Sequence, residues 1–486
     1  MTDPVLYWFR DDLRLADNPA LAAAVSSAKP LHLIYVFDDS GRHGRPLGAA
    51  QRWWLHQSLT RLSADLAAIG GRLDLYHGDP AAVVPALVAA IKPSSIYWNR
   101  RYHTQSIACD KALKAEFESQ GIAVKTFSGT LIREPWEVAS KVGAPMRVFT
   151  PFWRAARLDF SVPQPKPAPS RLETAPFALS GPVAVPLQDL KLLPTTPDWS
   201  GGMAEHWQPG EQGALETLDR FIDGGFEGYG EHRNRPDLPS TSRLSPYLRF
   251  GEISVHTVWH TAEASLHTGR SLATTEDLRI FQSELGWREF SYHLLYHQPD
   301  IAKINVQRSF DGFGWQNDPA KLKPWQQGKT GYPLVDAGMR ELWQTGFMHN
   351  RVRMVVASFL VKHLRIDWRL GEEWFWDTLL DADPASNPAS WQWVAGSGAD
   401  AAPYYRIFNP MLQSEKFDPE GRYLRKFVPE LTKLPNAYLH APWTAKPAEL
   451  LAAGVKLGVT YPRPIVNHEQ ARESALSAYK ALKESA

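Results

Sequence analysis

A single cysteine, Cys109, occurs in the 486 residues. That excludes an internal disulfide framework and suits a reducing cytosol, so a cytoplasmic location is expected. An excess of one charge is also missing. The formal net charge is +1, so no global field draws the chain to nucleic acid or membrane, and any DNA affinity has to come from a local patch. No run of about 18 apolar residues is available to span a bilayer. The opening Met1-Thr-Asp-Pro-Val lacks a basic and apolar leader, so no signal peptide is expected. No Gly-x-Gly-x-x-Gly or Walker-type loop follows the first apolar run, which argues against an ordinary dinucleotide or triphosphate site there. Internal repeats and low-complexity tails are absent as well.

The length is enough for two or more domains, each with a full core. Short apolar runs at Val5–Phe9, Leu31–Phe37, Leu73–Tyr76, Ser95–Asn99 and Val124–Phe127 read as strands. Helical stretches at Pro19–Val25, Gly48–Ile69, Ala81–Ile91 and Gln105–Gln120 separate them, with Asn18 placed to cap the first. This alternation predicts a doubly wound parallel sheet over residues 1–130, a fold that binds ligands beyond the carboxyl ends of its strands. Nine prolines between Ser161 and Asp198 make 131–205 an extended interdomain linker. Residues 206–486 carry helical periodicity and little alternation, predicting a mostly helical second domain.

Chemistry-bearing residues gather in the helical part. Val352–Leu364 is apolar at helical spacing, which puts Asn350, Arg353 and Met354 on one face. An amide, a guanidinium and a thioether in a buried-looking position make either a polar network between helices or a ligand face. Glu284, Trp287 and Arg288 likewise share a face. They form either an ordinary amphipathic helix with a core tryptophan, or a platform on which a flat ligand stacks while the carboxyl bonds its edge. Thr241-Ser-Arg-Leu-Ser245, after Tyr229 and His232-Arg233, is a hydroxyl-rich turn into a helix. It either caps the helix or offers donors to phosphate. The chain has 19 tryptophans, which serve as core or as stacking platforms. Trp315, Trp368 and Trp391 lie on three separate segments, and sequence alone does not join them.

Together these motifs resemble the cryptochrome/photolyase family. The resemblance is carried by Val-Leu-Tyr-Trp-Phe-Arg-Asp-Asp-Leu-Arg-Leu-Ala-Asp-Asn from Val5, Thr-Ser-Arg-Leu-Ser from Thr241 and Trp-Arg-Glu-Phe from Trp287. Gly-Lys-Thr-Gly-Tyr-Pro from Gly328, Met-His-Asn-Arg from Met348, Asp-Ala-Asp from Asp381 and Trp-Gln-Trp from Trp391 complete it. They run in family order over nearly the whole chain. The resemblance implies an α/β antenna-binding domain joined by a long linker to an all-α domain holding FAD in a U shape. It also implies light-dependent repair of cyclobutane pyrimidine dimers, by electron transfer from excited reduced FAD to a dimer flipped out of the duplex.

Residue by residue, it implies FAD contacts at Tyr229, Thr241, Ser242, Arg243, Leu244, Ser245, Arg288, Arg353, Asp381, Asp383 and Asn387, with Asn387 facing the flavin N5 and Arg353 paired with Asp381. Glu284, Trp287, Asn350, Met354 and Trp393 are implied as the lesion pocket, and Arg233, Arg351 and Gln413 as DNA contacts. Trp391, Trp368 and Trp315 match the family's electron-transfer triad. Trp376 adds a branch to that chain or fills the core. An antenna chromophore is implied, 5,10-methenyltetrahydrofolate or else 8-hydroxy-5-deazaflavin, with no ligands assigned. UV-damaged DNA is the expected partner, the protein is expected to be a monomer, and no metal is expected.

Two relatives of the same fold compete. Plant cryptochromes, which signal instead of repairing, commonly carry Asp opposite the flavin N5, where this chain has Asn387, and their long C-terminal extension is not expected here. The (6-4) photolyases use two histidines where this chain has Asn350 and Met354, and His349 alone is a structural residue. Residues 45–56, Arg-Pro-Leu-Gly-Ala-Ala-Gln-Arg-Trp-Trp-Leu-His, are closer to class III bacterial photolyases and plant cryptochromes than to class I enzymes.

Overall fold

The computed structural model describes residues 3–175 and 182–484; residues 1–2, 485–486 and, within the expected linker, 176–181 lie outside the described residues. The chain opens with alternating strands and helices: β1 (Val5–Phe9), α1 (Pro19–Val25), β2 (Leu31–Phe37), α2 (Ala49–Ala68), β3 (Leu73–His77), α3 (Pro80–Ile91), β4 (Ser95–Asn99), α4 (Thr104–Ser119) and β5 (Ala123–Phe127). The strands form one parallel sheet in the order β3-β2-β1-β4-β5. Val5 stands opposite Leu31 on one side and Ser95 on the other. All five residues of β1 are buried, because helices cover both faces of such a sheet and its central strand must be apolar throughout. Leu6, Trp8, Ile34 and Trp98 pack on Val84, Leu87, Leu113 and Phe117 of α3 and α4. Asn18 caps α1 by accepting from Leu21 N, with Pro19 in the first turn. Every predicted strand and helix of this domain is present, with ends within one residue of expectation.

The proline-rich stretch is extended, yet it is bonded along the sheet. Leu31 N donates to the Glu173 carbonyl at 2.7 Å, Ala175 N to Leu31 at 2.8 Å and Val185 N to Leu75 at 2.8 Å. It also follows a helix, α5 (Phe149–Arg157), that the linker reading did not foresee. The remainder is helical: α6 (Gly201–His206), α7 (Glu211–Gly224), α8 (Tyr229–His232), α9 (Ser245–Phe250), α10 (Val255–His267), α11 (Thr275–His297), α12 (Pro319–Gln326), α13 (Pro333–Thr345) and α14 (Asn350–Ser358) come first. After α14 the chain widens into a π-turn, Phe359–His363, and continues with α15 (Trp368–Thr378), α16 (Ser386–Ala395) and α17 (Pro410–Phe417) among its later helices. No helix among the described residues is long and apolar enough to cross a membrane.

Two compact units result. One comprises Met1–Glu227, Ser242–Pro299 and Leu380–Pro384; the other comprises Gly228–Thr241, Asp300–Leu379 and Ala385–Ala486. In the first, Glu252 follows α9 and fixes α2: it accepts from Trp54 Nε1 at 3.0 Å, from Ser58 Oγ and from Gly210 N at 2.7 Å. Burial outweighs those donors and pushes its carboxyl up to about 8. In the second, Gly338 lets α13 close on α14; a Cβ there would lie 2.5 Å from Val352 Cγ1.

Glu252 sets a pH dependence of stability. Its folded-state value lies above the unfolded one, so between about pH 4.5 and 8 the unfolded chain releases the proton while the native state keeps it. That contribution is complete below pH 4.5 and is lost as pH rises toward 8. The urea midpoint of the parent should fall from pH 5 to pH 8, and Glu252→Gln should flatten the fall. An equal slope in both would remove Glu252 from the account.

Candidate functional site

In the first unit three side chains hold the segment Leu380–Pro384. Ser245 Oγ donates to Asp381 Oδ2 at 2.6 Å, Arg249 Nε to the Ala382 carbonyl at 3.0 Å, and Tyr292 OH to Asp383 Oδ2 at 2.7 Å. Ser245 and Arg249 are four residues apart on α9, so one helix face presents both. Arg249 is buried and its Nη1 also donates to Asp11 Oδ1, 3.0 Å away, just beyond β1. The close approach of α9 to that loop requires Gly251, whose φ is +66° and where a Cβ would lie 2.1 Å from the Asp11 carbonyl oxygen. Burial, and next the Asp383 carboxylate, hold the Tyr292 phenol well above its usual range, so it remains a donor.

The turn before α9 keeps its polar groups accessible. Thr241, Ser242 and Arg243 are half-buried, Ser245 is exposed and Leu244 is buried beneath them. Arg243 adopts φ 54°, and its guanidinium lies 4.6 Å from the Trp207 ring centre. On α11, Glu284 and Trp287 are half-buried, while Arg288 donates to the Thr130 carbonyl at 2.9 Å and covers the Tyr292 ring.

In the second unit the face of α14 differs from expectation. Asn350 is exposed and Arg353 and Met354 are half-buried; the buried face is Val352, Val355 and Val356. Asn350, Arg353 and Met354 therefore lie on the less buried side of the helix, because the β-branched residues beside them fill the core side. Arg353 Nε turns back to the Met348 carbonyl at 2.7 Å. His349 caps the helix, its Nδ1 accepting from Arg351 N at 3.1 Å. Burial, then the guanidiniums of Arg353, Arg351 and Arg233, push that imidazole down to about 3, so it stays neutral. Arg351 donates to Asn234 at 2.8 Å and stacks over Phe417 of α17, the helix that carries Gln413. Arg233 lies over the ring of the buried Tyr229.

Asn387, on α16, is buried, and its Nδ2 donates to Glu372 Oε1 at 2.7 Å and to the Glu372 carbonyl at 3.1 Å. The nitrogen is committed, so the amide oxygen is the atom that can face a ligand. Trp393 is half-buried on the same helix. Trp391 and Trp368 are buried and Trp315 is half-buried. Trp391 fits over Gly371 of α15, where a Cβ would lie 2.2 Å from its Cη2. Trp368 opens α15 and donates to Asn305 Oδ1 at 2.9 Å. The Trp315 loop is tied to the start of that helix by Gln316 N to Arg365 O at 2.7 Å and Asp367 N to Asn317 Oδ1 at 2.8 Å. Trp376 is buried on α15.

Sequence reading missed Arg249, Tyr292 and Glu372, which orient the named residues. The only local signal was the spacing of Ser245 and Arg249.

Taken unit by unit, the residues suit the chemical groups of a flavin dinucleotide. Accessible hydroxyls precede a helix start, oriented carboxylates suit an N–H edge, and a fixed amide oxygen suits another donor. Comparison with known proteins agrees. Residues 5–170 match the family described as DNA photolyase, and residues 281–481 that described as the FAD binding domain of DNA photolyase. The chain is 52% identical to the deoxyribodipyrimidine photo-lyase of Agrobacterium fabrum, over 99% of this chain and 98% of that protein. It is 38% identical to cryptochrome-1 of Arabidopsis thaliana, over 96% of this chain and 69% of that protein. Among solved structures, a class III photolyase from Agrobacterium tumefaciens superposes with a TM-score of 0.95 at 52% identity, covering 100% of this chain and 98% of that one. A Synechocystis cryptochrome does so with 0.87 at 32%, covering 98% and 99%. The class defined by fold and site is thus a two-part flavoprotein, an α/β domain followed by an FAD-binding helical one. The chain belongs to the cryptochrome/photolyase family.

Arg249→Met should raise the dissociation constant for FAD at least about tenfold, because a charge-assisted bond of about 1.5–3 kcal/mol holds the 381–383 segment. Arg249→Lys should recover part of the loss. Fluorescence titration of the apoprotein decides it, and unchanged affinity in Arg249→Met would show that the segment stands without the guanidinium.

Proposed function

We propose that the protein is a deoxyribodipyrimidine photo-lyase, a carbon–carbon lyase that splits cyclobutane pyrimidine dimers in DNA under light. The observation that carries this reading is the fixed amide of Asn387, with its nitrogen on Glu372, together with the open Asn350 and Met354 face of α14. When bound and reduced, FAD supplies the light-driven electron that opens the dimer and receives it back. Tyr229, Thr241, Ser242, Arg243, Leu244, Ser245, Arg288, Arg353, Asp381, Asp383 and Asn387 are the proposed residues that hold it. The hydroxyl and backbone donors of the 241–245 turn suit phosphate, and the carboxylates of Asp381 and Asp383 suit ring and ribityl donors. The Asn387 oxygen suits the protonated N5 edge of the reduced ring.

For the lesion, Trp287 and Trp393 offer stacking faces, Glu284 and Asn350 offer hydrogen bonds to the pyrimidine edge, and Met354 offers an apolar contact. Flipping the dimer out costs a few kcal/mol, least at a damaged step, and stacking at about 1–3 kcal/mol per base offsets much of it. Arg233, Arg351 and Gln413 contact the DNA backbone. The chain's net charge of +1 confines that attraction to this patch. Trp391, Trp368 and Trp315 carry an electron inward from the surface to reduce oxidised flavin, a task separate from repair. Residues 1–130 form the antenna domain, 131–205 the linker and 206–486 the catalytic domain of a cytoplasmic monomer. The antenna is 5,10-methenyltetrahydrofolate, with 8-hydroxy-5-deazaflavin as the alternative that an absorption spectrum of the purified protein separates.

The two electron routes give the test. Trp391→Phe should abolish photoreduction of oxidised FAD, yet chemically reduced Trp391→Phe should still repair dimer-containing DNA in light and not in darkness. Normal photoreduction in Trp391→Phe would remove it from the chain. Absent repair by flavin-loaded parent protein would overturn the photo-lyase reading in favour of a cryptochrome, and repair that needs no light would overturn the light-driven mechanism.

A further inference from the structure

The segment read from sequence as linker contributes an aromatic ring that stacks on Trp287. α5 begins with Phe149, which is buried while Val148 before it and Thr150 after it are exposed. Its ring lies face to face with the indole of Trp287, with centroids 3.8 Å apart and an interplanar angle of 9°. Phe290, one turn further along α11, meets both rings edge-on, at 6.0 Å from Phe149 and 5.9 Å from Trp287. Behind Phe149 stands Trp153, nearly parallel at 14° and 6.4 Å away. The layering is possible because α5 lies directly on α11 at Gly286, where a Cβ would sit 2.6 Å from Trp153 Cδ2.

A tryptophan on a partly open helix face can occupy several rotamers, and a base that stacks on it must first select one. Phe149 and Phe290 remove that freedom. One covers a whole face of the indole and the other its edge, so Trp287 is held in one plane with a single face for an incoming base. An aliphatic side chain would fill the same volume but would not fix the plane.

We infer that Phe149 is a positioning residue for lesion recognition: stacked behind Trp287, it orders the indole so that one face only receives the flipped dimer. This rests on the reading of Trp287 as a lesion platform.

The test is a double-mutant cycle of Phe149→Leu and Trp287→Ala on the full-length flavin-loaded protein, with dimer-containing and undamaged oligonucleotides of one sequence as probes. Phe149→Leu should weaken binding of the damaged probe about 3- to 10-fold, the worth of one aromatic pair. It should leave undamaged-probe affinity and flavin content within about twofold. In the Trp287→Ala background the same change should alter damaged-probe binding by less than about twofold, because no indole is left to order. Phe149→Tyr keeps the ring and should restore the parent affinity. An equal loss on both probes, a full effect of Phe149→Leu without Trp287, or a Phe149→Tyr as weak as Phe149→Leu would overturn the inference. If Trp287→Ala weakens lesion binding and Phe149→Leu does not, the inference falls and the platform stands. If Trp287→Ala itself has no effect, the platform reading falls.

Discussion

One buried guanidinium organises the first unit around the segment Leu380–Pro384. Arg249, itself buried, joins the part-exposed Asp11, just past the first strand, to the backbone of Ala382. A buried charge is tolerated only when it is paired and hydrogen-bonded, and both conditions are met at once by groups from opposite ends of the chain. The result is that Asp381 and Asp383 are held on either side of a fixed carbonyl, each oriented by its own donor, Ser245 or Tyr292. Removing the guanidinium would take from Asp11 its hydrogen-bonded partner and loosen the segment that carries both carboxylates.

The second unit solves a different problem. The three tryptophans proposed as an electron path are each tied to their surroundings. Trp391 is fixed by the missing side chain at Gly371, and Trp368 by its bond to Asn305. The Trp315 loop is stitched to the helix that Trp368 begins. Asn387 is oriented by Glu372 on the helix that also carries Trp368. The orientation of Asn387 and the packing of Trp391 and Trp368 therefore share α15 as a common support.

Much of the fold was legible in the sequence because its signals are local. Parallel strands buried on both faces read as unbroken apolar runs, and Asn18-Pro19 announces a helix start; both are present as read. What was not legible is non-local. Arg249 and Asp11 are 238 residues apart and Arg249 and Ala382 are 133 apart, so no window contains the pair. Phe149 was lost inside a stretch whose prolines suggested a linker. The Asn350 face looked buried because its neighbours are apolar, but the buried residues of the helix are Val352, Val355, Val356, Ala357 and Ser358. The site motifs were recognisable through family resemblance, while the residues that orient them came only from the packing.

The most direct test of the whole account is lesion specificity. Reduced, FAD-loaded parent protein would be illuminated with near-ultraviolet or blue light on a cyclobutane dimer and on a (6-4) product in parallel, and the restored pyrimidines counted. Asn350 and Met354 supply no acid or base for the (6-4) product, so the account predicts splitting of the cyclobutane dimer alone. Repair of the (6-4) product alone, or of neither lesion by protein shown to hold FAD, would contradict it.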